Sequence, residues 1–373
     1  MRVGVPKEIK PQEHRVGLTP AAVREYVAAG HEVWVQAGAG AGIGADDDTY
    51  AAAGARVVDT AEEVWAGCAL IVKVKEPLGD ERRWLREGQI LFTYLHLAPD
   101  AALTRALLDS GCTAVAYETV TDAAGGLPLL APMSEVAGRL AIEAAAFALR
   151  KPAGGRGLLL GGVAGVPAAR VVVLGAGVVG THAARMAVGL GCEVTVINRT
   201  LPRLRALDEL FGGRVRTRLA TREAIDDELR AADVVVGAAL VPGARAPQLV
   251  TRAMLAAMKP LAVLVDVSID QGGCFETSRP TTHDAPTYVV DGIVHYAVAN
   301  MPGAVPLTSS HALNHATLPF GLALAAKGER ALVDDPHLRR GLNVHRGRVT
   351  CAAVAEAQGL PFVSAEQALG VAG

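Results

Sequence analysis

The stretch RVVVLGAGVVG at 170–180 constrains this 373-residue chain more than any other. A β-branched apolar run ends in Gly175, Gly177 and Gly180, then opens into an apolar helical pattern that leads to EVTVI. Glycine spacing alone is a weak signal. A strand before it and a helix after it make it a turn that lays a pyrophosphate on a helix N-terminus. Gly175 permits the tight turn, Gly177 lets the ligand approach the backbone, and Gly180 lets helix and strand pack closely.

The same rhythm starts at the first residue: RVGVP, PAAVREYVAAG, EVWVQ, a short helix after Ala45, ARVVD, ALIVKV, QILFTYL and TAVAYE. It resumes with EVTVIN, VRTRL, TREAIDDELRAA, DVVVGAAL, a helix near 251–258, LAVLVDVSI, TYVV and GIVHYAV. Strands alternating with crossover helices predict an α/β chain of two doubly wound, Rossmann-like domains separated by a cleft. SEVAGRLAIEAAAFALRK at 134–151 reads as a linker helix with Ser134 as its N-cap. Beyond about 305 the pattern reads as helical. A tail of about 70 residues is too small to stand alone, so it is expected to pack back on the first domain and make that domain discontinuous.

Lysine plus arginine (36) nearly balances aspartate plus glutamate (38), which speaks against nucleic acid or an anionic membrane as partner and for a small molecule. Five scattered cysteines form no ligand cluster, so no metal site is expected, and a reducing compartment fits. MRVGVPKEIK lacks a signal-peptide core, and glycine and proline break every apolar run well short of the roughly 20 residues of a membrane helix. A cytoplasmic protein is expected. The positive mean hydropathy suggests apolar surface hidden between subunits.

A second glycine-rich stretch, AGAGAGIGADDD at 37–48, also follows a strand. Asp46, Asp47 and Asp48 would suit the helix behind it and repel a pyrophosphate, so it reads as a structural turn or a loop near the substrate. At the end of EVTVIN, where an NAD enzyme usually carries a carboxylate for the ribose, stands Asn198, followed by Arg199. The amide removes the charge that would repel a 2′-phosphate, and Arg199 and Arg203 would attract one. NAD is favoured, with NADP or dual use open.

Ligands of open parallel sheets sit beyond the carboxyl ends of the strands. Polar groups follow several: Arg15 after RVGVP, Lys75 closing ALIVKV, Tyr94 and His96 closing QILFTYLHL, Asp270 after LAVLVDVSI, and Asn300 after GIVHYAVA. Each alone has a structural explanation, but together they suffice for oxidative deamination at carbon 2 of an amino acid. Arg15 would grip the carboxylate with two prongs, and Lys75 would hold its other oxygen or polarise the 2-oxo group. His96 would shuttle protons and Asp270 would act as base toward the amine or water. The nicotinamide would lie near Asn300 and Met301.

With these residues goes a family resemblance. MRVGVPKEIKPQEHRVGLTP, VKVKEP, LFTYLHLA, APMSEVAGRLA, GGRGLLLGGVAGVP, VVVLGAGVVGT, DQGGCFETSRPTTH and VHYAVANMPGAVP resemble alanine dehydrogenase motifs over nearly the whole chain. The resemblance implies a catalytic domain of 1–129 plus 304–373 and an NAD domain of 130–303. It also implies a homohexamer that converts L-alanine to pyruvate and ammonia. Position by position, Arg15 and Lys75 match the family's substrate residues, with Tyr94, Met133 and Asn300 counted beside them. His96 and Asp270 match its catalytic pair. Its cofactor contacts match Ser134, Val178, Val179, Arg203, Ala239, Leu240, Val267, Ser268, Ile269, Asp270, Arg279, Val298, Ala299, Asn300 and Met301. Asn198, Ala220 and Leu307 depart from the family's aspartate, serine and arginine. Kindred readings are a transhydrogenase alpha subunit and a lysine or saccharopine type dehydrogenase. A non-catalytic NAD sensor is the reading from another class.

Overall fold

The computed structural model describes residues 1–239 and 246–371. It divides into two compact units, Met1–Met133 with Val305–Gly373, and Ser134–Ala304.

The first unit holds β1 (Arg2–Val5), β2 (Glu32–Gln36), β3 (Arg56–Val58), β4 (Leu70–Val72), β5 (Ile90–Thr93) and β6 (Thr113–Ala116). They pair in parallel in the order β3-β2-β1-β4-β5-β6, the doubly wound arrangement, whose order reverses between β1 and β4. β4, β5 and β6 are buried throughout, because crossover helices cover both faces of such a sheet.

The second unit holds β7 (Arg170–Leu174), β8 (Glu193–Asn198), β9 (Val215–Leu219), β10 (Val234–Gly237), β11 (Val263–Asp266), β12 (Thr287–Val290) and β13 (Ile293–Tyr296), in the order β9-β8-β7-β10-β11-β13-β12. Val171 and Val173 enter the core on one side of this sheet, and Val172 and Leu174 enter the core on the other. An unbroken apolar run is therefore what β7 requires, and each such side chain contributes roughly 1.5–3 kcal/mol on burial. β12 runs antiparallel to β13 through Asp291 and Gly292, both at positive φ, the two-residue turn that matches strand twist.

Two expectations fail. The helix over the boundary spans Ala131–Ala148, so Ser134 lies within its first turns and is not its N-cap. Ala141, Ala145 and Ala148 of that helix belong to the core of the second unit. The tail is not wholly helical: β14 (Leu342–His345) pairs antiparallel with β6 and with β15 (Arg348–Val349). Burial of all four β14 residues shows why the polar-interrupted LNVH becomes a strand. Sheet pairing, invisible in a short polar-spaced run, decides it.

The long tail helix Pro306–Lys327 also braces the loop after β1. Asn314 accepts from Thr19 N (2.7 Å) and donates to the Gly17 carbonyl (3.0 Å), while Ser310 Oγ accepts from Val16 N. The loop carrying Arg15 is thereby held by residues nearly 300 positions away.

Candidate functional site

In the first unit the reactive groups gather where the strand order reverses. Arg15 is 2% exposed, and a guanidinium so buried needs a partner. Glu13 provides it: Nε donates to Oε1 at 2.6 Å and Nη2 to Oε2 at 2.5 Å, while Arg15 N donates to the same carboxylate. Nη1 reaches Met133 Sδ at 2.9 Å. Glu13 thus engages the Nε–Nη2 edge of the fork, and a two-pronged grip on another carboxylate would fall to its Nη1–Nη2 end.

Lys75 lies three residues past β4. Burial, and next the neighbouring Arg15, push its ammonium below the ordinary lysine value, while Glu13 opposes the shift. Its backbone is seated by Glu8 Oε1, which accepts from Val74 N (2.6 Å) and Lys75 N (3.3 Å). Glu8 in turn bonds the fully buried Lys73, which also donates to Glu81 at 2.8 Å. Burial raises the Glu8 carboxyl, and Lys73 pulls the other way.

Tyr94 is buried with its hydroxyl on the Leu129 carbonyl (2.6 Å), and its ring stacks on His96 with centroids 5.8 Å apart. His96 sits at φ 49, a left-handed conformation uncommon for a side-chain-bearing residue. Its N–H donates to Glu118 Oε1 at 2.6 Å, which holds that conformation, and about half of the ring's side chain is exposed. Arg15, Lys75, Tyr94 and Met133 are thus linked by contact or charge, with His96 joined through Tyr94. A cavity of about 310 Å³ between the 7–15 segment and the 38–42 turn touches Arg15 without reaching Lys75, Tyr94 or His96.

Sequence reading missed Glu13, Glu8, Lys73 and Glu118. KPQEHR and VKVKEP do show the acids and the second lysine, and a charge two residues from an expected buried cation is the one available signal.

In the second unit the site is made of backbone. Gly175 has φ 120, and a Cβ there would lie 2.5 Å from the Ala238 carbonyl oxygen, so β7 and β10 meet too closely at their ends for another residue. A Cβ on Gly180 would collide with the Gly175 carbonyl. The helix Val178–Gly189 starts from Gly177 with no side-chain cap, which leaves its first amides to an anion. These features fit the pyrophosphate of a dinucleotide. Gly138, which sequence reading passed over, lets the boundary helix meet the Val179 carbonyl.

Around this turn the other expected residues sort by role. Val178 is exposed at the helix start, with Val179 beside it. Ser268 Oγ donates to the Ala239 carbonyl, tying the loops after β11 and β10. That β11 loop, with Val267, Ile269 and Asp270, is anchored by Asp266, whose carboxylate accepts from Ser268 N, Cys274 N and Ser278 Oγ. Burial nevertheless raises the Asp266 carboxyl. Asp270 is exposed and has no partner among the described residues. Val298 bridges Thr281, Ala299 N donates to the Thr281 carbonyl, and Asn300 stands at φ 62 ahead of buried Met301. Arg279 lies 4.0 Å from the centre of the Tyr288 ring. Ala220 N donates to the Asn198 carbonyl next to the turn. Leu240 falls outside the described residues.

Comparison with known proteins gives these sites a context. Residues 4–137 match the alanine dehydrogenase/PNT N-terminal domain, and residues 141–352 match the C-terminal domain. An alanine dehydrogenase of Halomonas elongata is 58% identical over 371 residues, 99% of this chain and 100% of that one. A solved L-alanine dehydrogenase superposes with TM-score 0.94 at 50% identity, covering 96% of this chain and 99% of that one. A solved transhydrogenase from Sinorhizobium meliloti superposes with TM-score 0.80 at 26% identity, over 95% and 100% of the two chains.

Proposed function

This chain belongs to the alanine dehydrogenase/PNT family, and from that premise we propose how its residues carry out the reversible NAD-linked oxidative deamination of L-alanine to pyruvate and ammonia. It is an oxidoreductase acting on a CH–NH2 group with NAD as its cofactor. The observation that carries the residue assignment is Arg15, buried and held by Glu13 beside a Lys75 whose charge is itself disfavoured.

Two cations crowded in a desolvated setting gain most from an incoming carboxylate, because the attraction is strong where the dielectric is low. Arg15 binds the substrate carboxylate, and Lys75 holds its second oxygen or polarises the 2-oxo group. Tyr94 and Met133 shape the floor under carbon 3. His96, with a ring nitrogen 3.7 Å from Glu118, exchanges the proton of the carbinolamine oxygen. Asp270 takes the proton from the amine or the attacking water, and Asn300 orients the substrate. NAD, when bound, accepts the hydride from carbon 2. Gly175, Gly177, Gly180 and the first amides of the Val178 helix seat its pyrophosphate, while Ser134, Arg203, Arg279 and Val298 to Met301 complete the cofactor site.

Initial rates with alanine and NAD, and with pyruvate, ammonium and NADH, test the assignment. Turnover in both directions supports it. Full turnover after Arg15→Met and Lys75→Ala would remove both residues from the substrate site.

Among the described residues no helix is long and apolar enough to cross a membrane. Cytoplasmic residence is the reading that its free cysteines and its nicotinamide chemistry support. Assembly as a homohexamer is supported by exposed apolar side chains on the second unit, Phe147, Leu159, Val163, Val166 and Leu190. Sedimentation equilibrium of the purified protein tests the number of subunits.

A further inference from the structure

Asn198 ends β8 beside the Gly175 turn, where a dinucleotide enzyme that rejects a 2′-phosphate keeps a carboxylate against the adenosine ribose. Here the side chain is turned to other work. Oδ1 accepts from Ala176 N at 3.2 Å, and Nδ2 donates to the Thr200 carbonyl (3.2 Å) and hydroxyl (3.1 Å). Reversing the amide would set an N–H against an N–H at Ala176, so these partners define its orientation. The oxygen that would take the ribose hydroxyls is thus committed to the glycine turn, and position 198 carries no charge.

Positive charge surrounds it. Arg199 and Arg203 are exposed, and neither has a hydrogen bond or ion pair among the described residues. Arg203 reaches over the turn: a Cβ built on Gly177 would lie 3.4 Å from its Nη1. On the helix Arg222–Ala231 after the next strand, Asp227 and Glu228 are both paired with Arg218, and the exposed Glu223 of its first turn is the carboxylate that Arg199 and Arg203 would have to outweigh.

We propose that this chain accepts NADP(H) as well as NAD(H), with the 2′-phosphate of the adenosine ribose taken by Arg199 and Arg203 over an uncharged Asn198. The proposal rests on the dehydrogenase reading of the same cofactor site. A phosphate monoester is the group these two guanidiniums suit, since each offers parallel N–H donors to it.

Binding of NAD+, NADP+ and 2′-phospho-ADP-ribose, followed by calorimetry on the whole enzyme, tests it without turnover. NADP+ is expected to bind within about 10-fold of NAD+, and its affinity relative to NAD+ to fall as salt is raised. Asn198→Asp is expected to shift the ratio of the two dissociation constants against NADP+ by roughly 30-fold, and Arg199→Ala by roughly 10-fold. NADP+ binding more than about 1000-fold weaker than NAD+ overturns the proposal, as does a ratio that neither substitution moves. Initial rates with pyruvate, ammonium and NADH are measured in parallel. Their absence would strike the dehydrogenase reading, whereas their presence without NADP+ binding strikes this inference alone.

Discussion

Two glycine-rich turns in this molecule follow parallel strands of similarly ordered sheets and serve opposite ends. In the first unit, Gly38 N donates to Asp47, and Asp46 caps the helix Asp47–Ala52 by accepting from Thr49 N. Carboxylates occupy the amides that a phosphate would need. In the second unit the helix after Gly177 has no side-chain cap. One turn is closed by its own acids, and the other stays open to a ligand's charge.

The contrast extends to the whole units. The first places side-chain charge at its switch point, with Arg15 paired to Glu13 and Lys73 to Glu8, and with a half-buried Lys75 whose charge burial and Arg15 disfavour. The second places glycine and backbone there. A common strand order sets where a ligand can sit, and what occupies the strand ends sets which ligand.

Substitutions that separate substrate binding from cofactor binding sharpen this comparison. The largest effect is expected for Arg15→Met, a loss of about 1000-fold or more in kcat/KM for pyruvate with little change in the NAD dissociation constant. Because that change takes from the buried Glu13 its guanidinium partner, Arg15→Met with Glu13→Gln is the variant to compare by thermal unfolding. His96→Ala is expected to lower turnover roughly 100-fold while NAD binding holds. Loss of NAD binding in either variant would break the division of labour.

In the other direction, Gly175→Ala is expected to weaken NAD by roughly 10-fold or more, since both its φ and the Ala238 carbonyl oppose a Cβ. Lys75 sets a pH limit. In the proposed substrate site its charge would be needed for pyruvate; that charge is lost as pH rises, and burial with Arg15 brings the loss below the ordinary lysine value of 10.5. The alkaline limb of kcat/KM for pyruvate should fall below that value and vanish in Lys75→Ala. The smallest effect is expected for Asp46→Ala, a fall in unfolding midpoint of roughly 1–3 °C with NAD affinity intact. A gain of nucleotide binding by that variant would show the first turn to be less distinct than its acids indicate.

Much of this architecture was legible in the chain. Alternating β-branched runs and helical stretches define both sheets, because a strand covered on two faces must be apolar along its buried length, as β7 is from Val171 to Leu174. The Gly175 turn was readable because its neighbours on both sides announce strand and helix. β14 was not, since LNVH acquires its burial from pairing with β6, more than 200 residues earlier. The start of the boundary helix at Ala131 was missed because Ser134, a good cap residue, sits inside it.

By itself the sequence determined the two doubly wound units, the dinucleotide turn and the identity of the charged strand-end groups, all of which rest on local pattern and residue chemistry. Tertiary structure alone decided how those groups are held. Glu13 takes one edge of Arg15, Glu8 seats the backbone of Lys75, Asn314 fixes the loop that carries Arg15, and Asn198 turns back onto the glycine turn. Partners of buried charge are chosen by burial and proximity, and neither exists until distant segments of the chain have packed.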